Sequence, residues 1–268
     1  MEEITLGHLH VSHMRPAAAK FAVPIVVLSE LFATTDHLAA LIGYLVSLGW
    51  EVYAPDLRRA QAALGNRGFI QALELLGELP AKLGREFIVV GHGIGGLLAL
   101  KLAERKGMRA AVAFAPLVPG VRTPIYVRMS NLRALWGGGM IRPPRGPLAA
   151  ELFASLDQFR REKLASAMVP EAAAMARDVA RGRVSLGIAA VALRLIIAGE
   201  TDRFAPIAGI RTMAERSGSH LATLAGCGHW LIEGRALEPV ISEMQRFLVR
   251  ELGEQLLLLY SGGGSNCK

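Results

Sequence analysis

The segment Phe87-Ile88-Val89-Val90-Gly91-His92-Gly93-Ile94-Gly95-Gly96 runs from a β-branched apolar burst through a glycine-rich turn into a stretch of helical period. A buried strand that turns straight into a helix in this way is the setting of a nucleophile elbow. There the flanking glycines let strand and helix approach closely, and the residue after the central one points its N–H at a developing oxyanion. The central residue here is Gly93, which brings no nucleophile.

Outward from this segment, apolar bursts alternate with longer helical periods, as expected of a mostly parallel sheet covered by helices. Strands are expected at 24–28, 51–54, 87–90, 110–114, 193–198 and 220–224. Helices are expected at 36–48, 69–79, 95–105, 206–217 and 237–252, with an antiparallel hairpin over 4–14 at the sheet edge. The alternation breaks between Pro119 and Ala192, where Gly137-Gly138-Gly139 and Pro143-Pro144 precede Ala-rich helical stretches. The expectation is an α/β core at 1–118 and 193–260 with a helical cap inserted at 119–192, since a long insertion at one sheet edge is placed to cover a pocket. Residues 261–268, beginning Ser261-Gly262-Gly263-Gly264-Ser265, have the composition of a flexible tail.

Composition narrows the class. The 268 residues are 52% hydrophobic and 20% charged, with 30 Lys plus Arg against 23 Asp plus Glu, a formal charge of +7. Such a chain is neither a disordered tail nor a disulfide scaffold. Its two cysteines, Cys227 and Cys267, form no CxxC pair, which fits a reducing compartment, and a cytoplasmic location is expected. The acidic start Met1-Glu2-Glu3 is unlike a signal peptide, and no apolar run is long enough to span a membrane. Arginines are scattered without interleaved aromatics, so no nucleic-acid partner is expected.

Two further pieces follow in chain order: Gly199-Glu200-Thr201-Asp202-Arg203-Phe204-Ala205-Pro206 after one strand, and Gly226-Cys227-Gly228-His229-Trp230 after the last. With them the chain resembles the α/β-hydrolase superfamily, in particular capped esterase and lysophospholipase-like members carrying GHSxGG, GxxDxxxP and GHW motifs. The resemblance spans 24–117 and 193–252 and leaves the insertion unmatched. It implies Asp202 as the acid, His229 as the base, Gly93 in the nucleophile position, and the N–H groups of Ile94 and Leu31 as the oxyanion hole. It also implies a small apolar acyl substrate and no cofactor. Two departures stand out. The serine is Gly93, and Glu30 occupies the place where members commonly have glycine before the oxyanion donor. Glu30, Phe32 and Trp230 are candidates to line the pocket.

Other readings of the same residues carry less. Ser29 and Cys227 are the nearest substitute nucleophiles, but neither sits on an elbow. His92 reads as a packed core residue pointing away from the site. His8, His10 and His13 lack supporting carboxylates or thiolates, so no metal site is expected. The glycines miss the GxGxxG spacing, and no P-loop lysine follows. Trp136, Phe153 and Met168 of the insertion are candidates for an acyl pocket or for packing. Because losing the nucleophile alone costs on the order of a million-fold, ordinary covalent ester turnover is not expected. Three functions remain: an esterase-like lineage lacking its serine, a cofactor-free enzyme of lyase, cyclase or oxygenase type using His229 and Asp202 as general base, and a non-catalytic binding protein. For the last, N-myc downstream-regulated family members with Gly at this elbow are a fold-level analogy.

Overall fold

The computed structural model describes residues 1–63, 68–121, 131, 134, 136–188 and 191–256. Cys267 and the expected tail at 261–268 lie outside the described residues. An eight-stranded sheet is built from β1 (Glu2–Leu6), β2 (Leu9–Met14), β3 (Ile25–Leu28), β4 (Val52–Asp56), β5 (Phe87–His92), β6 (Met108–Phe114), β9 (Leu193–Gly199) and β10 (His220–Leu224), in the order β1-β2-β4-β3-β5-β6-β9-β10. The edge hairpin β1–β2 pairs antiparallel, as does β2 with β4, and all later neighbours pair parallel. The hairpin begins two residues before the expected 4–14. Every expected strand forms, within two residues at either end.

The central strands are buried along their whole length, β3 and β5 without an exposed position. That is the demand of a parallel sheet covered on both faces, and it explains their runs of Ile and Val in place of an alternating pattern. Helices α1 (Thr35–Ser47), α3 (Phe69–Gly77), α5 (Ile94–Leu102), α9 (Ile207–Ser217) and α10 (Leu237–Leu252) form where helical periods are expected. Shorter helices α2 (Leu57–Ala63) and α4 (Leu79–Leu83) add to them.

Between β6 and β9 the described residues form α6 (Pro147–Leu152), α7 (Gln158–Ala167) and α8 (Ala173–Ala180). They also form a two-stranded antiparallel ribbon, β7 (Met140–Ile141) with β8 (Glu171–Ala172), which the helical reading of this region did not include. The insertion is tied down at the carboxyl end of the sheet. Val169 donates its N–H to the Phe32 carbonyl at 3.1 Å. Ser155 donates its hydroxyl to the Trp230 carbonyl at 2.9 Å, and Phe153 meets Trp230 edge to face at 4.7 Å. Phe153 and Met168 are therefore core residues, whereas Trp136 is 83% exposed.

Candidate functional site

The register of the sheet decides what meets at its carboxyl end. Leu28 of β3 pairs with Gly91 of β5, so the residues that follow, Ser29-Glu30-Leu31 and His92-Gly93-Ile94, leave adjacent strands side by side. The crevice beyond the carboxyl ends of parallel strands is where open α/β sheets place their sites. Gly93 forms the turn into α5 at φ 55° and ψ −115°, a conformation that disfavours side chains. At Gly95 a Cβ would collide with the carbonyls of Leu28 and Ser29, so glycine is what lets the helix approach β3.

Glu30 fills the space the elbow leaves. Its Oε1 accepts the N–H of Leu31 at 2.6 Å and that of Ile94 at 3.2 Å, the same two donors that the resemblance assigns to an oxyanion. Its Oε2 stands 3.1 Å from Nε2 of His229. Nδ1 of His229 lies 2.8 Å from Oδ2 of Asp202, whose Oδ1 accepts the N–H groups of Phe204 at 2.7 Å and Ala205 at 2.9 Å. The acid and histidine loops are stitched together, since Thr201 donates both its N–H, at 3.0 Å, and its hydroxyl, at 2.9 Å, to the Cys227 carbonyl. Glu30, Asp202 and His229 are all buried.

Only an imidazolium donates from both nitrogens, and His229 has a carboxylate at each. Burial opposes the charge, but Asp202 and Glu30 outweigh it and raise the His229 pKa to about 10. Asp202 is held below its ordinary value, because the His229 charge and the two N–H donors overcome its burial.

His92 does not point away from the site. Its Nε2 lies 2.9 Å from the His229 carbonyl, its ring packs edge-on to those of His229 and Trp230 at 4.9 Å each, and its Nδ1 is 3.8 Å from Oε2 of Glu30. Burial and the neighbouring His229 charge push the His92 pKa down to about 4, so its ring is neutral. The strand histidines do not assemble. His13 bonds Glu51 at 2.8 Å and stacks on Tyr53, and His10 lies on the opposite face of β2.

Phe32 and Trp230 are buried around this centre rather than lining an open cleft. Phe32 adopts φ 66°, a strained turn secured by Glu171 of β8, which accepts its N–H at 3.2 Å. Burial raises the Glu171 pKa to about 7. No sequence signal marks Glu171, which lies 139 residues from its partner in an Ala-rich stretch. Among the described residues the spaces touching the centre are small: about 20 Å³ beside Glu30, Ile94 and Glu171, and about 140 Å³ beside His229, Phe204 and Arg203. Cys227 is buried on the histidine loop, and Ser29 follows the end of β3 rather than standing on the elbow.

Comparison with known proteins agrees with this architecture. The family model described as "Alpha/beta hydrolase family" matches residues 28–243. No curated protein matches the chain. Among solved structures, a monoacylglycerol lipase of Paleococcus ferrophilus is similar, with a TM-score of 0.66 at 17% identity, covering 90% of this chain and 98% of that one. A soluble variant of monoglyceride lipase from Saccharomyces cerevisiae gives 0.70 at 15% identity, covering 93% and 94%. A thermophilic esterase from Thermogutta terrifontis gives 0.66 at 15% identity, covering 93% and 99%. At these identities the structures speak for the fold, and with the family match across most of its length the chain belongs to the alpha/beta hydrolase family.

Proposed function

We propose that this chain is an esterase-lineage α/β-hydrolase in which Glu30 has taken over the space of both the serine hydroxyl and the substrate oxyanion, closing the covalent route of ester hydrolysis. What remains is recognition of small apolar acyl compounds, the ligand class suggested by lipase and esterase neighbours, limited to short chains by the space of about 140 Å³ beside His229 and Phe204. The observation that carries the reading is the pair of hydrogen bonds from Leu31 and Ile94 to Glu30 Oε1. Donors already satisfied by a fixed carboxylate have nothing left for a developing alkoxide, and a second negative charge there is repelled.

The general-base alternative fares less well on the same geometry. A base must be unprotonated at working pH, and His229 stays an imidazolium toward pH 10. The insertion, bonded to Phe32 and Trp230, serves in this reading as a fixed cover over the centre.

The test is to challenge metal-stripped protein with chromogenic acyl esters of increasing chain length and with a fluorophosphonate. A non-hydrolysable monoalkyl glycerol ether is titrated in parallel. Saturable ether binding with no ester turnover and no phosphonylated protein is the expected result. Phosphonylation, or turnover that His229→Ala abolishes, would overturn the reading.

A further inference from the structure

We propose that Glu30, His92 and His229 form a binding site for a divalent transition-metal ion of the zinc type. The inference rests on the reading that Glu30 occupies the serine's place, since it uses the same carboxylate. Among the described residues these three are the one group of three potential ligands, and their ligand atoms all lie within 4.8 Å of one another, fully buried.

The hydrogen bonding of His92 is the independent pointer. Its Nε2 faces a carbonyl, which only accepts, so Nε2 bears the proton. In the neutral ring Nδ1 then carries a bare lone pair, and this buried nitrogen has no hydrogen-bond partner among the described residues. It stands 3.8 Å from another electron-rich atom, Oε2 of Glu30. A lone pair and a carboxylate facing each other in a dry site call for a cation between them.

The spacings to Glu30 suit one. Two ligands bound to tetrahedral zinc at about 2.0–2.1 Å stand roughly 3.4 Å apart. Oε2 of Glu30 is 3.1 Å from Nε2 of His229 and 3.8 Å from Nδ1 of His92. Two histidines with one glutamate form a known donor set for zinc with a fourth position open.

The outer partners are also in place. Metal-bound imidazoles donate their far N–H to a carboxylate or a carbonyl, which fixes the ring. His229 has Asp202 at 2.8 Å for this role, and His92 has the His229 carbonyl at 2.9 Å. The Leu31 and Ile94 N–H groups grip the other oxygen of Glu30 and orient the ligating one. On binding, the ion replaces the proton shared by His229 and Glu30, and that proton leaves to solvent.

The experiment is equilibrium dialysis of untagged, chelator-stripped protein against zinc, with cobalt(II) as a visible probe and ¹⁵N spectra of the histidines. The prediction is one zinc per chain and a four-coordinate cobalt spectrum. Zinc should shift the His92 Nδ1 and His229 Nε2 resonances. Affinity should fall by more than about 100-fold in Glu30→Gln and His92→Gln, beyond the usual cost of losing an outer-sphere partner. Absence of stoichiometric uptake by the wild-type chain would overturn the proposal, as would zinc that shifts only other histidines. The wild-type spectra decide the matter even if a variant fails to fold. The two readings fail separately, because ester turnover by stripped protein defeats the closed centre and absent zinc uptake defeats the metal site.

Discussion

A Cβ on Gly93 would fall inside the carboxylate of Glu30, and a serine hydroxyl would have to displace that carboxylate altogether. The two departures from the esterase pattern, 63 residues apart in the chain, are thus one change in space. Glycine at the elbow makes room for Glu30, and Glu30 satisfies the donors and the imidazole that, in the proposed function, a serine and substrate would otherwise engage. A lost nucleophile alone would leave those groups unpaired in a buried site, at roughly 1–3 kcal/mol for each orphaned donor.

The Gly93→Ser variant should gain no esterase activity and should lose stability. Overpacking a tight site costs about 1–3 kcal/mol, and here the obstruction, although the end of a flexible side chain, is a buried carboxylate bonded to Leu31, Ile94 and His229. A urea titration with circular dichroism measures the loss, and an unchanged midpoint would show that Glu30 yields freely.

Ionisation of His229 gives a pH signature in metal-free protein. Its folded pKa, about 10, lies above the ordinary 6.5, so the folded state binds the extra proton. The resulting stabilisation is fully present below about pH 6.5 and is lost as pH rises toward 10. Replacing Glu30 by Gln removes one of the two carboxylates, so the His229 titration followed by NMR should move down by at least about one unit. A titration that stays in place would mean that Asp202 alone holds the charge.

Glu171 acts in the same direction over a lower window. Its folded pKa, about 7, exceeds the ordinary 4.5, so the protonated acid is favoured in the folded state. Its contribution is greatest below pH 4.5 and falls away as pH rises to 7, by about 3 kcal/mol in all. Glu171→Gln retains an oxygen acceptor for the Phe32 N–H and carries no charge. Thermal melts should show it more stable than wild type at pH 8 and nearly equal to it at pH 4. Equal stability at both would mean that Glu171 is paired in a way its burial does not suggest.

Much of this was legible in the sequence, and the reasons are physical. The elbow, acid loop and histidine loop each follow a strand in the right order, so the strand register alone carries Gly93, Asp202 and His229 to one end of the sheet. The β5 strand is legible because burial on both faces demands an unbroken apolar run. The orientation of His92 was not legible, because it depends on a carbonyl 137 residues away. The same holds for Glu30, whose carboxylate folds back onto its neighbour's N–H and across to Ile94, and for Glu171, on a strand of two residues with no periodicity to read.

The central claim is that Glu30 and Gly93 close a hydrolase frame that is otherwise intact. It is tested most directly by ester hydrolysis in Gly93→Ser, in Glu30→Gly with Gly93→Ser, and in that double variant carrying His229→Ala. The account predicts no gain in the first, a gain of at least about 100-fold over the first in the second, and loss of that gain in the third. A Gly93→Ser variant as active as the double, or a folded double variant with no activity, would contradict it.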